Sequence, residues 1–374
     1  MQQTFQSVCW WMHQIIRSVG QLDFCIFRCL QWSDLTISIY GVFSWLSDKY
    51  QVKLKDHCGS QLFFTRRYSL FALGIPYNLP KLCPNASWNA SAVTFATNTW
   101  VGINPWAVFV NTNNTVFAAN RESGIVRVFL EGSTAPVRNL SGNLSTPYSL
   151  FVSDSNDIYV DNGEVNQRVD KWSTGATSAV SAMYVCAGCY GLFIDINNNL
   201  YCSLTAYHQV ASKSLDDRLN IWSVVAGNGT NASTSLTLNY PYGITVDKNL
   251  NLYVADHDND RIQRFRYREL NGTTVVGTTA PGTISLYHPK ALVLDADGYL
   301  FISDSYNHRI IGSSASGYRC IAACSGFGSS SSALIYPTPI SFDAYGNLYV
   351  VDWGNSRIQK FLLARNSCGK GLAN

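Results

Sequence analysis

From about residue 79 onward, apolar and polar positions fall into short alternating blocks rather than helical stripes. The clearest stretch is 240–265, where residues 243–246 and 252–255 are apolar, β-favouring runs on either side of the turn-forming Lys248-Asn249-Leu250-Asn251. A third run, 261–265, follows the polar loop 256–260. Related triplets of runs occur at 105–111, 115–120 and 125–129, then at 147–152, 158–161 and 168–172. A more worn copy lies at 189–195, 200–203 and 209–210, and two clear ones at 289–295, 299–304 and 309–311 and at 337–343, 347–352 and 357–361. An internal repeat of this kind has to be recognised first, because it dictates the architecture.

Aspartates after the first run set the period: Asp195 to Asp247 is 52 residues, and Asp247 to Asp295 and Asp295 to Asp343 are 48 each. That length holds four short strands, and fourth strands are expected at 183–186, 224–226, 274–276 and 320–323. The strands are apolar on both faces, as in Leu252-Tyr253-Val254-Ala255, which suits small sheets packed between two others. Radially packed four-stranded sheets make a propeller. After residue 361 the sixth repeat has no fourth strand of its own. Residues 92–96 precede the first repeat and have β character, so pairing them with 357–361 would close the ring and remove an edge.

The motif Pro-x-Gly-Ile-x-Val-Asp, Asn-Leu-Tyr-Val-Ala-Asp and Asn-x-Arg-Ile-Gln-x-Phe resembles the NHL repeat, whose domains are six-bladed β-propellers. The resemblance covers roughly residues 90–362 and is strongest in repeats four to six; Ile125 and Gln209 stand where the motif has arginine. The fold expected is therefore all-β, a six-bladed propeller of NHL type closed by an N-terminal strand, over residues 79–368. Residues 1–78 are an extension without the repeat, and 369–374 a tail. Asp256/Arg261, Asp304/Arg309 and Asp352/Arg357 share a spacing of five, and this recurrence argues for structural ion pairs rather than catalysis.

Composition changes the picture in two places. The formal charge of +3 resides wholly in residues 1–78, which hold seven Lys/Arg and four Asp/Glu and leave 20 of each sign in the rest. A neutral body is a poor phosphate binder, so no nucleic-acid partner is expected. Eleven cysteines and eight N-x-S/T sequons (Asn85, Asn89, Asn113, Asn139, Asn143, Asn228, Asn231 and Asn271) point to the secretory pathway.

Cys83 and Cys368 flank the closing strand pair, which predicts a disulfide with a chain-entropy contribution of roughly 5–6 kcal/mol. Cys186, Cys189 and Cys202 offer local pairings left open by the sequence, and Cys320 pairs with Cys324. The apolar run 35–46 is too short to span a bilayer comfortably. Arg66-Arg67 followed by 68–75 has the order of a secretion signal but lies well inside the chain. Either the ancestral start lies near residue 60 or the segment is an ordinary helical or disordered extension.

In a propeller, the residue after each opening proline, or its equivalent, lies near the channel mouth. These are Trp106, Tyr148, Tyr190, Tyr242, Lys290 and Thr338. Four aromatics and a lysine form an arc suited to stacking on a sugar, a peptide or another protein; the alternative is that they pack each loop against the next blade. His208, His257 and His308 fall in second-to-third-strand loops and His288 precedes a proline, but zinc would need three of them to converge. No G-x-S-x-G elbow, Walker loop or dinucleotide fingerprint occurs in a usable context.

The expected protein is a monomeric, secreted or extracellular glycoprotein, free or anchored through its N-terminal region. It binds a protein or glycan through its loop face, without cofactor, metal or catalytic residues. A metal-dependent lyase or hydrolase at the channel, and a substrate-recognition part of a ubiquitin-ligase-type NHL protein, are the alternatives. The chain has no RING or B-box cysteine/histidine array.

Overall fold

The computed structural model describes residues 77–364, except residue 281. Cys368, the tail 369–374, the run 35–46, the signal-like 66–75 and the extension up to residue 76 lie outside the described residues. The described strands form six four-stranded antiparallel sheets. Blade four, built from the clearest repeat, has strands Pro241–Val246, Leu252–Asp256, Arg261–Phe265 and Thr273–Gly277 in simple meander order. The inner strands of the other blades are Pro105–Val110, Leu150–Val152, Cys189–Ile194, Pro289–Leu294 and Pro337–Phe342. Neighbouring inner strands touch all the way round, blade six against blade one included. This closed all-β ring is a six-bladed propeller.

The ring closes as the pattern requires: Val93–Ala96 pairs antiparallel with Arg357–Phe361, with Val93 opposite Lys360 and Ala96 opposite Ile358. Phe95 packs between Phe129 and Tyr349, joining blade one to blade six. Tyr77 and Asn78, ahead of the first strand, make contacts with the propeller. Asn78 Nδ2 donates to Asn111 O at 2.9 Å and to Phe342 O at 3.0 Å, bridging blades one and six, while the Tyr77 ring packs on Phe151 and Phe193. These contacts lie at the ends of the inner strands remote from their opening prolines. Further along, Trp88 Nε1 donates to Gly346 O at 2.9 Å.

Small residues let the inner strands converge. A Cβ on Gly243 would stand 2.8 Å from Ala291 Cα, and one on Gly191 2.6 Å from Tyr242 O, so a larger residue would push the blades apart. Between blades, Ser149 Oγ donates to Cys189 O at 2.6 Å and Ser303 Oγ to Thr338 O at 2.6 Å.

The Asp/Arg pairs hold each blade to the loop leading into it. Asp256 Oδ2 accepts from Arg261 Nε at 2.7 Å, Asp256 Oδ1 accepts from Asn239 N at 2.6 Å, and Arg261 donates onward to Thr234 O and Thr237 O. Asp304/Arg309 and Asp352/Arg357 repeat the pattern at 2.8 and 2.7 Å. Cys189 is bridged to Cys202, and Cys320 to Cys324. Cys83 and Cys186 are disulfide-bonded as well.

Both partners of the Asp256/Arg261 pair are buried, so Arg261→Met strands a carboxylate in the protein interior. Urea denaturation should show a loss of about 3–5 kcal/mol. Arg309→Met should cost less, since Arg309 is partly open to solvent. Equal, sub-kcal losses at both positions would refute the structural role.

Candidate ligand site at the channel mouth

Trp106, Tyr190, Tyr242, Lys290 and Thr338 come together at the channel end where the inner strands open, around a cavity of about 110 Å³ that also touches Tyr77 and Asn78 at its base. The cavity thus runs from the loop-face residues down to Tyr77 and Asn78 at the far end of the inner strands. Tyr148 differs from the expected arc: it is 3% exposed, does not line the cavity, and backs Tyr190 in a stack with ring centroids 3.8 Å apart and planes 16° apart.

The aromatics form a closed circuit rather than an arc. Trp106 meets Tyr148 at 5.6 Å, Tyr190 meets Tyr242 at 4.9 Å, and Tyr242 stacks on His257 at 4.4 Å. The circuit continues from His257 to Tyr306 (6.2 Å), Tyr336 (4.9 Å) and Trp353 (6.1 Å), and returns to Trp106 at 6.0 Å. His257, Tyr306 and Trp353 sit in the short 3-10 turns that follow Asp256, Asp304 and Asp352, and Tyr336 directly precedes an opening proline. Arg121 follows Asn120 at the equivalent place in blade one. Apart from His257, these contributors were missed from the sequence, although His257, Trp353 and Arg121 each directly follow the residue at the recurrent Asp/Asn position.

Lys290 occupies the centre. Its Nζ lies 5.4 Å from the Trp106 ring, 5.6 Å from Trp353, 5.7 Å from Tyr306 and 5.9 Å from Tyr242. Cation–π attraction from several faces, roughly 0.5–2 kcal/mol for each good contact, favours the ammonium there. Burial works the other way and pulls its pKa down to about 8. Burial pushes the Tyr190 and Tyr242 phenols up, so both stay protonated. Arg121 lies over the same wall, its Cζ 5.5 Å from Trp106 and 4.9 Å from Tyr148.

The histidines separate into two kinds. His208 and His308 end their turns in the left-handed conformation, and their Nδ1 atoms accept from Tyr240 N at 3.2 Å and Tyr336 N at 3.1 Å. Asp260 fills the same position in blade four, accepting from His288 N at 2.7 Å, so these are latches between blades. Among the described histidines, only His257 and His288 converge, 4.5 Å apart by ring centroids, and with Asp258 they place ligand atoms within 4.8 Å of one another. Nδ1 of His257 is 2.6 Å from Asp258 Oδ1, and burial drops its pKa to about 4. The ring is therefore neutral at pH 7, with its proton on Nδ1 and a lone pair on Nε2.

The NHL repeat family model matches residues 238–265, which span the opening proline, second strand and third strand of blade four. The chain is a six-bladed β-propeller whose fourth blade carries an NHL repeat. Its structure is similar to a structural genomics protein from Bacteroides thetaiotaomicron, with 14% identity, TM-score 0.61 and coverage of 73% of this chain and 76% of that one. It is also similar to a streptogramin B lyase, with 12% identity, TM-score 0.54 and coverage of 76% and 100%. An auxiliary nutrient binding protein from Bacteroides ovatus aligns with 16% identity, TM-score 0.56 and coverage of 77% and 78%. At these identities the likeness speaks to the fold. No curated protein sequence matches the chain.

Because the folded-state pKa of Lys290 lies below its ordinary 10.5, folding releases its proton between about pH 8 and 10.5. Its contribution to stability is least favourable below pH 8 and improves as pH rises through that window. Paired melts from pH 7 to 10 should show wild type gaining on Lys290→Met with rising pH. A pH-independent difference would place the lysine in water.

Proposed function

We propose that this NHL-repeat protein is a secreted, glycosylated, non-enzymatic binding module that holds a protein or glycan ligand at the loop-face mouth of its channel. The observation that carries the reading is the closed aromatic circuit around a lysine at the mouth of a cavity. Such a mouth offers stacking faces on every side, and aromatic side chains supply most binding energy in recognition sites.

Secretion rests on the cysteine usage and on the sequons. All eight sequon asparagines are exposed, and none belongs to the aromatic circuit, so glycans at these sites would leave the mouth free. No helix among the described residues is long and apolar enough to cross a membrane.

Metal-assisted lyase or hydrolase chemistry is a second reading, favoured by the His257, Asp258 and His288 group. Two features weigh against it. Asp258 Oδ1 is already engaged by His257 Nδ1, and the positive charge of Lys290 lowers the proton affinity of His257. The same repulsion acts on a metal cation.

Two measurements test the main reading. Intact mass of protein from a eukaryotic secretory host should fall on N-glycosidase treatment; unmodified protein would remove the secreted form of the proposal. Arrays of secreted ectodomains and glycans should yield ligands whose affinity drops about tenfold or more with Tyr190→Ala or Trp353→Ala, at near wild-type melting temperature. Ligands indifferent to both changes would move the site elsewhere.

A further inference from the structure

Arg121 and Lys290 differ from the blade cations that are paired with acids. Arg168, Arg261, Arg309, Arg357 and Lys360 each meet a carboxylate at 2.7–2.9 Å. The two mouth cations have aromatic faces and no acid or hydrogen-bond partner among the described residues. The carboxylates of the same rim, Asp258 and Glu164, accept from neutral donors, His257 Nδ1 and the Tyr190 hydroxyl at 3.1 Å, and form no ion pair with either cation. The mouth therefore presents two positive charges on one indole that no direct ion pair satisfies.

A second, independent feature is a set of buried polar atoms left without partners. Thr338 Oγ1, on a side chain 1% exposed in the cavity wall, has none, and neither has His257 Nε2 on a residue 7% exposed. Leaving such a group unmet costs about 1–3 kcal/mol, so each favours a hydroxyl- or amide-bearing ligand. With Nδ1–H donating to Asp258, His257 Nε2 accepts, and Thr338 can donate or accept.

We infer that the mouth takes a terminal sugar residue bearing a carboxylate, such as a uronate. Its ring would stack on the aromatic wall, its carboxylate would meet Lys290 and Arg121, and its hydroxyls would meet Thr338 and His257. This inference rests on the loop-face binding reading and narrows it to one ligand class. A phosphate would use the cations but not the walls, and a neutral sugar would use the walls but not the cations. A peptide C-terminus would use both, but it brings a single amide N–H beside its carboxylate, where a uronate ring brings several hydroxyls to the two orphaned side chains.

The test is calorimetry on the full chain with a glucuronate-terminated disaccharide, a galacturonate-terminated one, their neutral counterparts and a short peptide ending in a free carboxylate. At least one uronate should bind about tenfold or more tighter than its neutral counterpart. That ratio should fall to near one in Lys290→Met and shrink in Arg121→Gln. Thr338→Val should weaken the uronate further, and the melting temperature of each variant reports its folding. Equal affinity for charged and neutral sugars, a preference that survives the Lys290→Met/Arg121→Gln double change, or no uronate binding at all overturns the inference. A neutral glycan or a peptide whose affinity depends on Tyr190 and Trp353 overturns it too, while leaving the loop-face reading in place.

Discussion

Six sheets can stand around an axis only if the ring is closed, and here closure depends on a strand from the far end of the repeat region. Residues 93–96 complete the blade whose other strands begin at Pro337. Without that pairing, Arg357–Phe361 would expose a strand edge, and Phe95 would lose its place between Phe129 and Tyr349. The same segment does a second job just upstream. Tyr77 and Asn78 line the cavity at the far end of the inner strands, so the segment that fastens the ring also lines its interior.

Closure in turn fixes the mouth. Gly191 and Gly243 allow the inner strands to approach, which brings the residues just before them, Tyr190 and Tyr242, to 4.9 Å. The carboxylates of Asp256, Asp304 and Asp352 hold the turns whose residues supply the other half of the circuit. A structural pair and a candidate contact are thus chain neighbours: Asp256 with His257, and Asp352 with Trp353. The division of labour is sharp, because the aspartate points into the blade while its successor faces the axis.

Most of the architecture was legible in the sequence because it is periodic. Repetition of Asp, Arg and apolar runs at a spacing near 48 residues carries the blade count, the strand order and the closing partner. Trp106, Tyr190, Tyr242 and Lys290 were also legible, since each follows an opening proline or its equivalent. What escaped is whatever depends on distances between blades. Tyr148 occupies the same register yet lies behind Tyr190, and no local pattern tells one from the other. His208, His257 and His308 look alike in their loops, but a difference of three positions makes two of them backbone latches and one a lining residue. Lys290 read as the last member of an arc, whereas its long side chain carries the charge to the centre, which only the closed ring can show. The contribution of Tyr77 and Asn78 to the cavity wall was missed because that segment carries no repeat.

The central claim is that ligand recognition takes place at this mouth, over Lys290. Amine-reactive footprinting read by mass spectrometry tests it directly, with the lysines on the blade sides as internal references. A captured ligand should slow modification of Lys290 several-fold while leaving Lys171 and Lys360 unchanged. Unaltered labelling of Lys290 under saturating ligand, or protection confined to the side lysines, would contradict the account.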